Sequence, residues 1–515
     1  MLANLEKNQS WDFIIIGGGA SGLGIALDAA ARGYRVLLLE KHDFAHATSS
    51  RSTKLIHGGL RYLRSGQFSM VSEALHERAL LMQNAPHLVH PLAFIMPTKN
   101  WWSRLYYFAG IKLYDMLAGA QLNGRKSHLL SKAETLRRLP TVQANRIDGG
   151  IEFFDGQFDD SRLAINLAQT LVEQGGTALN YMPVQKLLKE KNQVVGVIAQ
   201  DLVSGKDYEI RSRVVINATG AFVDSVRRMD NASISPMIVP SQGAHIVLKR
   251  SFFPGDSALI IPEIEHNRVL FFIPWKDHLL VGTTETPLDH IVDEPVPLKK
   301  EIEFLLRHSS KFLTHAPTES DILSAFAGIR PLANTTKNDQ DTATLSRDHL
   351  VIVSDSKLMS VVGGKWTTYR KMGEDTIDQA AKLANLTIRK SKTQNLPIHG
   401  SIRAFQNNDE WSYYGSDIAP VNQLANNDEQ LLQKMHSDLP CRPVDVLWAV
   451  RSEMARNVED VLARRTRCLL LGAKSSVEIA PAVAAIMAQE LGLGPEWEKK
   501  QVESYRALAM KYLPN

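Results

Sequence analysis

The chain has 515 residues, 44% of them hydrophobic, and a formal net charge of +4, which suits a globular protein of about three domains and offers no charge excess for nucleic acid. Its two cysteines, Cys441 and Cys468, lie apart without metal-type spacing, so neither a disulfide framework nor a metal centre is expected. The N-terminal MLANLEKNQS lacks a signal-like apolar core, and no run of about 18 uncharged apolar residues occurs. A reducing, cytoplasmic setting is expected.

The first structured stretch is WDFIIIGGGASGLGIALDAAARGYRVLLLEK, Trp11 to Lys41. Phe13 to Ile16 is a continuous apolar run, as in a strand buried on both faces. Gly17, Gly19 and Gly22 follow at the G-x-G-x-x-G spacing, with Ala20 and Ser21 opening a helix. Such glycines permit a tight turn, the approach of a pyrophosphate and close helix–strand packing, while the first helical amides favour an anion. Val36 to Leu39 supply a second strand, and Glu40 ends it where a carboxylate accepts ribose hydroxyls. It would repel a 2′-phosphate, so FAD or NAD is favoured over NADP.

KHDFAHATSSRSTKLIHGGLRYL comes next. Thr48, Ser49, Ser50, Ser52 and Thr53 supply small hydroxyls, and Gly58 and Gly59 break the chain before Arg61 and Tyr62. Composition alone reads this as a polar surface loop. Its position after the second strand instead makes His57, Arg61 and Tyr62 candidates for a pocket. A helix is expected over Gln67 to Leu81. In the stretch Lys99 to Gly119, Trp102, Tyr106, Ala109, Leu113 and Met116 share one helical face, with Arg104, Lys112 and Asp115 making it too polar to span. Such a helix suits either a bilayer interface or packing on the core.

Gly150 to Leu163 leads into a helix at Ile165 to Glu173, and strand-like segments follow at residues 177–182, 184–188 and 194–199. Val214 to Asn217 is a further buried strand, with Ala218, Thr219 and Gly220 in a turn behind it. Alternating strands between Pro240 and Pro287, with a hairpin at Trp275 to His278, predict an antiparallel roof. His245 stands on one of these strands, where a histidine is either structural or catalytic. Arg330 lies between Gly328 and Pro331, and Arg347 follows in LSRD. KLMSVVGGKWTTYRKM gives a strand, a turn at Gly363 and Gly364, and a helix start near Lys365, Thr367 and Thr368. The segment 386–408 reads as a linker. Helices are expected at 428–437, 444–465, 476–491 and 496–512. The arginines of RSEMARNVEDVLARRTR form either a solvated face or an acidic-lipid contact.

Taken together, the glycine motif, SSxxxKLIHGGLRYL, QGAHIV, GIRPL, GGKWTTYRK and the helical tail resemble the FAD-dependent aerobic glycerol-3-phosphate dehydrogenases, within the amino-acid-oxidase-like flavoproteins. The resemblance covers nearly the whole chain. It implies an α/β FAD-binding domain of Rossmann-like, glutathione-reductase type, an antiparallel-sheet substrate domain and an all-α C-terminal domain. The FAD-binding part is expected in pieces, 1–80, 150–239 and 325–385. The substrate or cap part is expected at 81–149 and 240–324, and the helical domain at 409–515. The resemblance further implies noncovalent FAD held by Gly17, Gly19, Ala20, Ser21, Gly22, Glu40, Thr48, Ser49, Ser50, Lys54, Leu55, His57, Gly58, Gly59, Val184, Ala218, Thr219, Gly220, Gly364, Lys365, Thr367 and Thr368.

The reaction implied is oxidation of sn-glycerol 3-phosphate to dihydroxyacetone phosphate, with electrons passed to ubiquinone at the cytoplasmic face of the inner membrane. A homodimer is expected. His245 is the candidate base, because imidazole titrates near neutral pH. Arg61, Tyr62, Arg330, Arg347 and Lys365 are candidate donors to the phosphate, with Arg330 and Lys365 nearest the chemistry. Gathering several cations at a flavin pocket favours a phosphate ester over an amino acid, whose carboxylate needs one. A glycerol-phosphate oxidase, an amino-acid or glycine oxidase, and a flavin-binding protein without turnover remain open.

Overall fold

The computed structural model describes residues 1–7, 10–64, 66–119, 124–265, 268–333, 349–402, 411–426 and 428–514. Among these residues two sheets organise the chain, one of eight strands and one of ten. In the first, strand Trp11–Ile16 lies between Val36–Leu39 and Asp207–Asn217 and runs parallel to both, with Phe13 opposite Val36 and Val214. The apolar run is continuous because both faces are covered. Phe13 and Ile15 enter one core with helices Ala20–Ala31, Asp160–Glu173 and Tyr369–Leu383, while Ile14 and Ile16 enter another with Val197 and Ile210. The parallel strands end at Ile16, Leu39 and Asn217, and that edge opens the crevice where such sheets bind ligands.

The second sheet is mostly antiparallel. One long pairing runs Ile238–Lys249 against Ser324–Ala333, with Ser241 opposite Arg330 and His245 opposite Phe326. The hairpin Arg268–Trp275 to His278–Gly282 turns where the sequence placed it. Gly149–Phe158 and Ser324–Ala333 also hydrogen-bond into this sheet. One face packs on helix Lys299–Phe312, the other on C-terminal helices.

The C-terminal segments differ most from expectation. The helix read over 444–465 splits into Pro443–Ser452 and Asp460–Arg465, and Met454 between them has φ +59. The stretch 428–437 forms only a single turn, Glu429–Leu432, and past it the Met435 amide donates forward to Cys441 O rather than into a helix. Helices Ala473–Leu491 and Pro495–Met510 match their expected spans closely.

The arginine-rich stretch is divided: Arg451 and Arg456 are exposed, as a solvated face requires, but the three that follow are not. Arg464, Arg465 and Arg467 are buried, at 2, 1 and 0% exposure. Arg464 Nε lies 2.5 Å from Asp43, Arg465 Nη2 is 3.0 Å from the same carboxylate, and Arg467 Nη2 is 2.8 Å from Asp160. Paired carboxylates compensate these buried charges. They tie the C-terminal segments to the loop after the second strand.

Candidate active site

The glycine turn meets the requirements of a dinucleotide cradle in backbone terms. Gly17 has φ +110, and a Cβ there would approach Ala218 O to 2.7 Å. A Cβ on Gly22 would fall 1.8 Å from Gly17 O, so only glycine lets the helix pack this closely on the turn. The Ala20 amide, at the helix start, donates to Ser49 Oγ at 2.9 Å. Glu40 accepts from the Gly18 amide at 2.6 Å and the His42 amide at 2.8 Å. Burial pushes this carboxyl up from its ordinary value, and the two amides oppose that rise.

From this turn a cavity of about 770 Å³ runs to the underside of the second sheet. At the glycine end it is lined by Gly17, Gly19, Ala20, Ser21 and Glu40, with Val184, Ala218, Thr219 and Gly220 beside them. Thr48, Ser49, Leu55, His57, Gly364 and Thr367 line its middle. Tyr62, His245, Arg330 and Lys365 converge on the same space. Segments widely separated in sequence, around Tyr62, His245, Arg330 and Lys365, therefore bring their candidate groups together.

Thr48 Oγ1 donates to Ile329 O at 2.7 Å, which fixes the loop against the strand that carries Arg330. Trp366 Nε1 donates to Ser49 O at 2.9 Å, so the same loop is also held to the turn after Gly364. Arg330 Nη2 donates to Thr283 Oγ1 and Thr284 O, both at 3.0 Å. The Lys365 ammonium stands 3.9 Å from the centre of the Tyr62 ring.

His245 is 3% exposed, stacks on Phe326 at 5.0 Å and places Nε2 3.0 Å from Thr53 Oγ1. Its Nδ1 has no hydrogen-bond partner among the described residues. Burial, then the charges of Lys54 and Arg330, hold this imidazole well below its ordinary pKa. It is therefore neutral at physiological pH, the form a base needs.

Some expected residues stand elsewhere. Lys54 does not reach the cavity wall: it is fully buried, 2.6 Å from Asp160, and burial pulls its ammonium down to about 7. Gly22, Ser50, Gly58, Gly59 and Thr368 lie behind the wall, where they shape turns or packing. Arg61 sits on helix Leu60–Arg64, with its side chain outside the described residues. Arg347 lies outside the described residues altogether. Sequence reasoning missed Arg51, which lines the cavity and pairs with Glu294 at 2.5 Å, and Thr283, which braces Arg330. The GTT run after a buried strand was the available signal for Thr283.

These residues fit FAD. The glycines let the turn close tightly on Ala218 and the helix, and the cavity continues from that turn to His245. Residues 12–370 match the FAD dependent oxidoreductase family, and residues 391–502 match the C-terminal domain of alpha-glycerophosphate oxidase. The mitochondrial glycerol-3-phosphate dehydrogenase of Mus musculus is 37% identical over 98% of this chain and 74% of its own length. The structure of a glycerol-3-phosphate dehydrogenase from Bacillus halodurans, complexed with FAD, superposes with a TM-score of 0.81 at 27% identity, covering 100% of this chain and 97% of that one. A dithionite-reduced L-alpha-glycerophosphate oxidase from Mycoplasma pneumoniae with FAD bound shares the fold, with a TM-score of 0.58 at 18% identity over 75% of this chain and 98% of that one.

Proposed function

The chain belongs to the FAD-dependent glycerol-3-phosphate dehydrogenases, and from that membership we propose that it oxidises sn-glycerol 3-phosphate to dihydroxyacetone phosphate and passes the electrons to a membrane quinone. One observation carries the substrate: Arg330, Lys365, Tyr62 and His245 share the cavity that begins at the glycine turn. Bound FAD supplies the hydride acceptor. Arg330 and Lys365 hold the phosphate with charge-assisted hydrogen bonds, and Tyr62 adds a hydroxyl donor. Thr283 and Thr284 O fix the Arg330 fork, so little side-chain freedom is lost when the phosphate arrives. His245, neutral and oriented by Thr53, takes the hydroxyl proton as the hydride leaves.

Support for a membrane acceptor comes from helix Trp101–Ala118. It buries Ile111, Tyr114 and Ala118 and exposes Trp101, Trp102, Tyr106 and Met116 at 63, 75, 66 and 70%. An aromatic face of this kind suits the interfacial layer of a bilayer. No helix among the described residues is long and apolar enough to cross a membrane. On this reading the protein lies on the cytoplasmic face of the inner membrane.

The test is anaerobic mixing of the holoenzyme with sn-glycerol 3-phosphate while the flavin absorbance is followed. Bleaching that reverses on adding a ubiquinone analogue is expected. Bleaching by glycine or another amino acid instead would overturn the substrate. Peroxide release in air with no response to quinone would overturn the acceptor.

A further inference from the structure

The exposed aromatic helix and the phosphate end of the cavity meet at one buried hydroxyl. Tyr114, 1% exposed, accepts from the Gly58 amide at 2.8 Å and donates to Asp155, whose two oxygens both lie 2.9 Å away. Asp155 is held in turn by Arg78 at 2.5 Å. There is no slack around this contact, since a Cβ on Gly58 would stand 2.6 Å from the Tyr114 oxygen. The residue before Gly58, His57, exchanges hydrogen bonds of 3.3 Å with Thr367 Oγ1 through its amide and carbonyl. Gly59 follows at φ +79, and its carbonyl accepts from the Tyr62 amide at 2.8 Å. The turn 57–59 is thus clamped between Thr367 on one side and Tyr114 on the other. The helix it launches carries Tyr62 to its place under Lys365. Tyr62 also packs on the cluster of Val71, Leu75, Tyr114 and Ala118.

We propose that Tyr114 is a positioning residue for substrate: its hydroxyl, pinned by Asp155, sets the Gly58 turn and thereby Tyr62 and Lys365 against the phosphate. This rests on the glycerol 3-phosphate reading of the cavity. His245 and Arg330 reach the cavity from strands Ile238–Lys249 and Ser324–Ala333, at the other end of the ten-stranded sheet's strand order from Asp155 and the Gly58 turn, so the chemical step is placed apart from the Tyr114 contact. Loss of the hydroxyl therefore weakens ground-state binding and spares the limiting rate.

The experiment compares wild type and Tyr114→Phe as holoenzymes, reading flavin reduction by sn-glycerol 3-phosphate in stopped flow. The half-saturating substrate concentration is expected to rise about tenfold with the limiting rate within about twofold and FAD content unchanged. A purely architectural tyrosine would lower the melting temperature and the active fraction but leave half-saturation alone. Gly58→Ala displaces the hydroxyl rather than deleting it, and the same split is expected. It also serves where Tyr114→Phe fails to accumulate. Half-saturation within twofold of wild type in either folded variant overturns the proposal. A wild-type flavin that glycerol 3-phosphate does not bleach overturns the substrate reading itself, which is a separate and visible outcome.

Discussion

Thr53 Oγ1 lies 3.0 Å from His245 Nε2, and this contact joins the loop after the second parallel strand to the sheet that roofs the cavity. It orients the ring, and burial keeps the ring neutral. His245→Ala is expected to slow flavin reduction by glycerol 3-phosphate by roughly 10²–10⁴-fold with FAD retained. Near-wild-type reduction in single turnover would remove His245 as the base.

The same histidine fixes the sign of a pH effect. A base works deprotonated, and the His245 pKa is lowered well below 6.5, chiefly by burial. The rate of flavin reduction is therefore expected to stay flat as pH falls through 6.5 and to drop only in more acid solution. An acid limb centred near the ordinary histidine value would contradict the buried, neutral ring.

Arg330 and Lys365 line the cavity from separate sheets. Each charge-assisted hydrogen bond to a phosphate is worth about 1.5–3 kcal/mol, roughly a 10- to 100-fold change in affinity. Arg330→Ala and Lys365→Ala are expected to raise the Michaelis constant by that factor while FAD content, read from the absorbance ratio, changes little. Equal loss of flavin and of substrate affinity would count against their assignment to the phosphate.

The contrast between Gly22 and Arg465 shows what could be read before the fold was known. Gly17, Gly19 and Gly22 act through a local spacing, and their reasons lie within a few residues: a Cβ on Gly22 meets Gly17. The aromatic helix was legible in part: its period put Trp102, Tyr106 and Met116 on one face, but whether that face met the core or the outside was settled only by the fold. Arg465 was not. An arginine in a charged run looks solvated until its partner is known, and Asp43 stands 422 residues away in sequence. The same holds for Lys54, whose Asp160 partner is 106 residues on. Nor could the sequence show which sheet strand Ser324–Ala333 joins, because a buried strand does not announce its partner.

His399 bridges Glu173 and Asp417, the latter at 2.7 Å, and these carboxylates raise its pKa to about 9 against the cost of burial. A raised folded-state pKa stabilises fully below the unfolded value near 6.5, and that stabilisation fades as pH rises through 9. The contribution is on the order of 1–2 kcal/mol once solvent screening is allowed for. The melting temperature of His399→Gln is expected to fall below wild type at pH 6 and to converge with it near pH 10. A difference that persists unchanged at pH 10 would mean that the ion pairs are not its source.

Trp101 and Trp102 touch one another edge to face at 5.0 Å, yet both remain more than 60% exposed. Large aromatic groups left in water are unfavourable unless another phase covers them. Their neighbours on the helix, Tyr106 and Met116, extend the same face, and Lys112 stands between with a partly exposed ammonium. Such a face gains apolar burial at the interface while its basic group meets anionic headgroups. Replacing both tryptophans by Ser removes a transfer gain of roughly 2–4 kcal/mol, so partitioning onto anionic vesicles is expected to weaken at least tenfold. Flavin reduction by glycerol 3-phosphate should be unchanged, because neither indole reaches the cavity. Vesicle co-sedimentation checks the first expectation and stopped flow the second. Undiminished sedimentation of the double variant would move the membrane contact off this helix, and with it the route by which electrons are proposed to leave.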